Sequence, residues 1–165
     1  MKARLDFRSA SPEANKAMSA LHKFVQQCGL EHNLLELVKL RVSQINGCAH
    51  CIDMHTKELR AAGESEQRLY LLNAWRESPF YSQRERAALE WAEAVTRLRD
   101  QDVPDDVYDA VMSEFNETDL VNLTLALVAI NGANRLNIAF RTVPGSYRPQ
   151  TRLSAGASGT ALPGR

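Results

Sequence analysis

The residues of this chain best able to do chemistry lie within twenty positions of one another: Glu36, Cys48, His50, Cys51 and His55. Cys48 and Cys51 stand three apart. At the start of a helix that spacing puts both sulfurs on one face, close enough to form a disulfide after a small adjustment. Unpaired amides and the partial positive charge of a helix N-terminus favour a thiolate there. His55 follows Cys51 by four residues, so its imidazole falls one turn along the same face. His50, adjacent to Cys51, points elsewhere on the helix. Glu36 belongs to the preceding helix and reaches the pair only if a turn at Asn46-Gly47 folds the two helices together.

A magnitude suggests what the neighbours are for. A thiol of pKa about 8.5 is only a few per cent ionised at neutral pH. Lowering that pKa to about 6 raises the thiolate fraction roughly thirtyfold, and a Brønsted slope of about 0.4–0.5 returns about tenfold of it as lost nucleophilicity. The net gain is a few-fold. Proton transfer to a leaving oxygen is worth about 10²–10⁴-fold. Glu36 and the histidines therefore read mainly as proton handlers. Metal chemistry fits less well. Cys48, Cys51 and His55 could supply three zinc ligands, but no second Cys or His pair follows to close a structural site. A c-type haem needs His directly after the second cysteine, where Ile52 stands. No metal and no cofactor are expected.

The elements that must position these groups read as helices. Ser11 would cap a helix over Pro12–Gln27, with Ala14, Ala17, Met18, Leu21, Phe24 and Val25 as its apolar stripe. A second is expected over Asn33–Gln44, a third from Cys48 to Gly63, and a fourth from Ser65 to Glu77. Ser82 with Glu85 has capping-box spacing for a fifth, Pro104 suits the first turn of a sixth, and Asn116 caps a seventh. The seventh carries the long apolar stretch Leu120–Ile130 and reads as the most buried helix. No strand run is evident. The expected fold is all-α, about seven helices in one domain over residues 1–147, with a disordered tail over 148–165 that the Ser, Gly, Ala and Pro from Ser146 onward announce. Ile45-Asn46-Gly47 recurs as Ile130-Asn131-Gly132, a faint echo with no cysteines in the second copy. It is as consistent with chance as with an old duplication. Cys28 reads as a small hydrophobe at a helix end, and Trp75 and Trp91 as core.

Composition narrows the classes further. The 165 residues are 44% hydrophobic and 24% charged, enough to bury a core. The zero formal net charge gives no electrostatic footprint for nucleic acid. No run of eighteen apolar residues suggests a membrane span, and Met1–Ala10 has no apolar core of a signal peptide. A cytoplasmic location is expected, where disulfides are usually transient and catalytic.

The whole pattern, Glu36, eleven residues, Cys48-Ala49-His50-Cys51, three residues, His55, resembles the alkyl hydroperoxide reductase D (AhpD) family, the cysteine-bearing branch of the carboxymuconolactone decarboxylase superfamily. The likeness takes in the Ile45-Asn46-Gly47 lead-in, Leu59-Arg60-Ala61-Ala62-Gly63, Ser82 to Thr96, and Ile130-Asn131 followed by Asn134-Arg135-Leu136, and covers roughly Phe7 to Tyr147. The resemblance implies an all-α fold assembled into trimers or hexamers and a peroxidase activity coupled to a dithiol cycle. It implies Cys51 as the peroxidatic cysteine, Cys48 as the resolving one, and Glu36, His50 and His55 as a proton relay. It also implies a hydroperoxide substrate, with re-reduction by an external dithiol such as a lipoyl or thioredoxin-like reductant. None of these five positions departs from the pattern. Helix-dipole reasoning alone favours Cys48 as the more acidic thiol; the position of His55 favours Cys51. The competing expectations are a non-enzymatic redox-sensing or assembly protein, and the superfamily's lactone decarboxylation.

Overall fold

A computed structural model describes residues 2–99 and 102–149. Among these, eight α-helices and no strand occur: α1 Phe7–Ala10, α2 Pro12–Gln27, α3 His32–Asn46, α4 Ala49–Ala61, α5 Glu66–Leu71, α6 Gln83–Arg97, α7 Asp105–Met112 and α8 Glu117–Ala139. Seven coincide with the helices expected from sequence. The addition is α1, a single turn capped by the Asp6 carboxylate, which accepts from the Arg8 amide. The capping box forms as expected, with Ser82 Oγ accepting from the Glu85 amide and Glu85 accepting from the Ser82 amide. Asn116 caps α8 through the Asp119 amide.

Three expectations need correcting. The helix expected to reach Glu77 ends at Leu71 and tightens into a 3₁₀ turn, Leu72–Ala74. That turn buries Leu72 and aims the Trp75 indole at Glu93, to which it donates at 2.9 Å. Pro104 has an extended ψ of 141° and precedes α7 rather than sitting in its first turn. The most buried helix is α3, not α8, because every residue from Leu34 to Ser43 is buried. Apolar content misled here: α8 turns Val121 and Val128 outward at 59% and 53% exposure. Conversely α3 hides charged residues whose partners lie inside the protein.

Helix α3 is the axis on which the site is built, packing against α4, α6 and α8. Its buried Leu34, Leu35, Leu37, Val38, Leu40 and Val42 anchor it, at about 1.5–3 kcal/mol for each fully buried aliphatic side chain. A polar chain ties its C-terminal end to α8. Asn46 Nδ2 reaches Asn131 Oδ1 and Asn134 Oδ1, both at 2.9 Å, and Asn134 Nδ2 donates to Ser43 Oγ at 3.1 Å. The two copies of the Ile-Asn-Gly echo thus touch through their asparagines. Their glycines differ in use. Gly47 ends α3 at φ 70°, a left-handed conformation glycine adopts without penalty, whereas Gly132 continues α8 and lets the Met18 side chain of α2 approach.

The last residues of the expected domain are anchored just before the expected tail. Gly145, Ser146 and Tyr147 lie over α4: the Gly145 amide donates to Asp53 at 3.0 Å, and Lys57 Nζ donates to the Gly145 and Tyr147 carbonyls at 3.3 Å each. From residue 150 onward the expected tail lies outside the described residues.

Candidate active site

The turn after α3 sets the cysteines. Gly47 allows the chain to reverse, and the Cys48 amide closes the end of α3 by donating to the Ser43 carbonyl at 3.0 Å. Cys48 is therefore the last group of one helix end and the N-cap of the next, where its Sγ accepts from the Cys51 amide at 3.4 Å. Cys48 and Cys51 are joined as a disulfide with a Cα–Cα separation of 5.3 Å, within the range such bridges need. Both are buried at 1% exposure. They are not equivalent. A cavity of about 670 Å³, opening among α1, α2, α3, α4, α8 and the Tyr147 segment, is lined by Cys51 and not by Cys48.

The same turn brings Glu36 to the site, as the sequence required. Glu36 Oε2 accepts from His55 Nδ1 at 2.6 Å, and Oε1 accepts from Lys39 Nζ at 2.9 Å. Burial pushes the Glu36 carboxyl up, but the His55 hydrogen bond and charge, with Lys39, outweigh it and hold the group at about 2. Glu36 is thus a carboxylate that fixes the proton of His55 on Nδ1 and leaves Nε2 free of protein partners. Both residues line the cavity. His50 also lines it, half-buried, while a hydrogen bond to the Val143 backbone holds its ring. Burial lowers its pKa against that hydrogen bond, and the nearby Arg8 charge adds to the lowering. All five residues singled out from sequence are therefore gathered at one place, four of them on the cavity wall and Cys48 behind it.

The structure adds residues that sequence spacing did not mark. His22 and His32 line the cavity, so all four histidines of the chain face one space. His22 Nδ1 donates to the Met18 carbonyl at 2.8 Å, and burial lowers its pKa. Tyr147 donates its hydroxyl to Glu58, and burial followed by that carboxylate raises the phenol pKa. Asn137 on α8 places Nδ2 3.5 Å from Cys51 Sγ. A signal for Asn137 existed: Asn131, Asn134 and Asn137 recur every three residues along α8, the mark of one polar stripe facing a partner. Among the described residues no group of three or more His, Cys, Asp or Glu is placed to hold a metal ion, and no helix is long and apolar enough to cross a membrane.

An all-helical domain with a buried Cys-x-x-Cys bridge beside a Glu–His pair defines the class as AhpD-like. The family model for carboxymuconolactone decarboxylases matches residues 12–94. The uncharacterized protein YdfG of Bacillus subtilis (strain 168) is 44% identical over 139 residues, 84% of this chain and 95% of that one. Among solved structures, a protein of unknown function from Agrobacterium tumefaciens, described as a candidate antioxidant defence protein AhpD, is 46% identical. It matches with a TM-score of 0.85 over 88% of this chain and all of that one. The debrominase Bmp8 in complex with 2,3,4-tribromopyrrole shares the fold, with a TM-score of 0.75 and 17% identity over 84% of this chain and 74% of that one. The chain belongs to the carboxymuconolactone decarboxylase family, in its AhpD-like branch.

Proposed function

We propose that the protein is a thiol-dependent hydroperoxide reductase in which Cys51 attacks the peroxide, Cys48 resolves the product, and Glu36 and His55 move the proton, with His50 assisting. The observation that carries this reading is the alignment of Glu36, His55 and Cys51 on one cavity, with Nε2 of His55 unpartnered. In the reduced enzyme the Cys51 thiolate displaces an alkoxide from the terminal peroxide oxygen and becomes a sulfenic acid. His55 Nε2, which takes the proton of the Cys51 thiol as the thiolate forms, gives that proton to the leaving oxygen, while Glu36 stabilises the charged ring in between. The Cys48 thiol then attacks the sulfenic sulfur, releasing water and forming the disulfide. An external dithiol, of lipoyl or thioredoxin-like chemistry, reduces that bridge by exchange and completes the cycle.

The working unit is a homo-oligomer, a trimer or a hexamer. What supports this, beyond the family resemblance, is the outer face of α8, where Val121 and Val128, one heptad apart, are exposed. A monomeric mass by light scattering at micromolar concentration contradicts it. The reaction itself is tested by steady-state peroxide consumption across a panel of dithiol reductants. Turnover that needs both a peroxide and a dithiol is expected. Thiol oxidation without turnover under every reductant would favour a redox sensor instead.

A further inference from the structure

Three buried side-chain polar atoms among the described residues lack a hydrogen-bond partner: His50 Nδ1, His55 Nε2 and Asn137 Oδ1. All three residues line the cavity at Cys51. Leaving such an atom unsatisfied costs about 1–3 kcal/mol, so gathering them in one cavity points to an occupant that satisfies them. His55 and Asn137 are the deeper pair, at 5% and 7% exposure.

The orientation of the Asn137 amide follows from its neighbours. Nδ2 donates to the Ala133 carbonyl at 2.9 Å. Reversing the amide would set two acceptor oxygens against each other. The second N–H of the same nitrogen is then directed to Cys51 Sγ, 3.5 Å away. Oδ1 remains an acceptor without a donor, beside the sulfur that reacts.

We propose that Asn137 is a further catalytic residue, and that His55 Nε2 and Asn137 Oδ1 form a donor and acceptor pair matched to a peroxide that carries a free O–H. The inference rests on the hydroperoxide reading above and adds to it the group that would recognise the free O–H of R–O–O–H. The bound O–H donates to Asn137 Oδ1, which turns the terminal oxygen toward Cys51. The thiolate forms the S–O bond as the O–O bond breaks, sulfur being oxidised by two electrons and the peroxide reduced by two. The terminal oxygen keeps its hydrogen and becomes the sulfenic acid; the leaving alkoxide takes the His55 Nε2 proton. The Asn137 N–H meanwhile steadies the negative sulfur. A dialkyl peroxide leaves Oδ1 unpaired and is disfavoured.

The test compares two reactions of the reduced full-length protein: single-turnover oxidation by tert-butyl hydroperoxide, and exchange with a neutral aromatic disulfide, which reads thiolate reactivity but has no O–H. The variants are Asn137→Ala and Asn137→Ser; the serine hydroxyl can return a bond to the Ala133 carbonyl, so it spares the helix while removing the amide from the site. Both are expected to lose about tenfold or more in the hydroperoxide reaction and no more than a few-fold in disulfide exchange. Equal losses in the two reactions, or none in either, overturn the role of Asn137 while wild-type turnover leaves the hydroperoxide reading standing. A wild-type protein that exchanges with the disulfide but ignores hydroperoxides overturns both.

Discussion

Among the described residues two carboxylates lie buried, Glu36 at 4% exposure and Glu93 at 3%, and each is held at about 2 by its surroundings. Glu93 takes Arg41 Nε at 2.8 Å and Trp75 Nε1 at 2.9 Å on one oxygen, and Arg76 at 2.9 Å and Arg97 at 2.7 Å on the other. Burial pushes it up, and the Trp75, Arg76 and Arg41 hydrogen bonds outweigh that. Guanidinium and indole N–H groups donate hydrogen bonds but do not take part in proton transfer. Glu36 is held by one lysine and one imidazole, and it stands on the cavity wall. A strongly shifted carboxyl is therefore not itself the mark of catalysis. The mark is a partner able to give its proton away, with an open space on that partner's far side.

That difference predicts separate consequences for equivalent changes. Glu36→Gln, or His55→Asn, should slow the first oxidation of Cys51 by about 10²–10⁴-fold, far beyond the few-fold that a changed thiol pKa explains; stopped-flow oxidation by a hydroperoxide measures it. Glu93→Gln should leave that rate unchanged per folded molecule and instead cost about 3–5 kcal/mol of stability, since it strands buried guanidinium charge; denaturant midpoints measure it. If Glu93→Gln slows the chemistry as much as Glu36→Gln, the distinction fails.

Acid should act on both carboxylates alike. Each folded pKa lies below its ordinary value of 4.5, so protons bind the unfolded chain more readily. Their stabilisation is complete above pH 4.5 and is lost as the pH falls toward 2. Thermal melts between those values should fall steeply for the wild type and less steeply for Glu93→Gln. The smallest effect is expected at the solvent side of the Glu93 cluster. Arg97, one-third exposed, should cost below about 1 kcal/mol when changed to Ala.

Much of this site was legible before any coordinates. Glu36, Cys48, His50, Cys51 and His55 follow from spacing, helix periodicity and the family pattern, because local geometry from α3 through α4 is enough to bring them together. Asn137 was missed because its contact with Cys51 spans 86 residues and depends on how α8 packs. Tyr147 was missed because Ser, Gly and Pro surround it, while Lys57 and Glu58 of α4 hold it and Asp53 holds the neighbouring Gly145 amide. The burial of α3 was hidden by its own charges: Glu36, Lys39 and Arg41 look like a solvated face until their partners are seen. Glu93 gave no sign of its role, since three of its four donors, Arg41, Trp75 and Arg76, come from other segments.

The central claim is that the cavity side of the disulfide is the peroxide side, and single-turnover sulfenate formation tests it most directly. With a sulfenate trap and one equivalent of hydroperoxide, Cys48→Ser should form a sulfenic acid on Cys51 and stop there, while Cys51→Ser should form none. Sulfenate on Cys48 at the wild-type rate in Cys51→Ser, with an unreactive Cys48→Ser, would contradict the account and give the attacking role to the thiol at the helix N-cap.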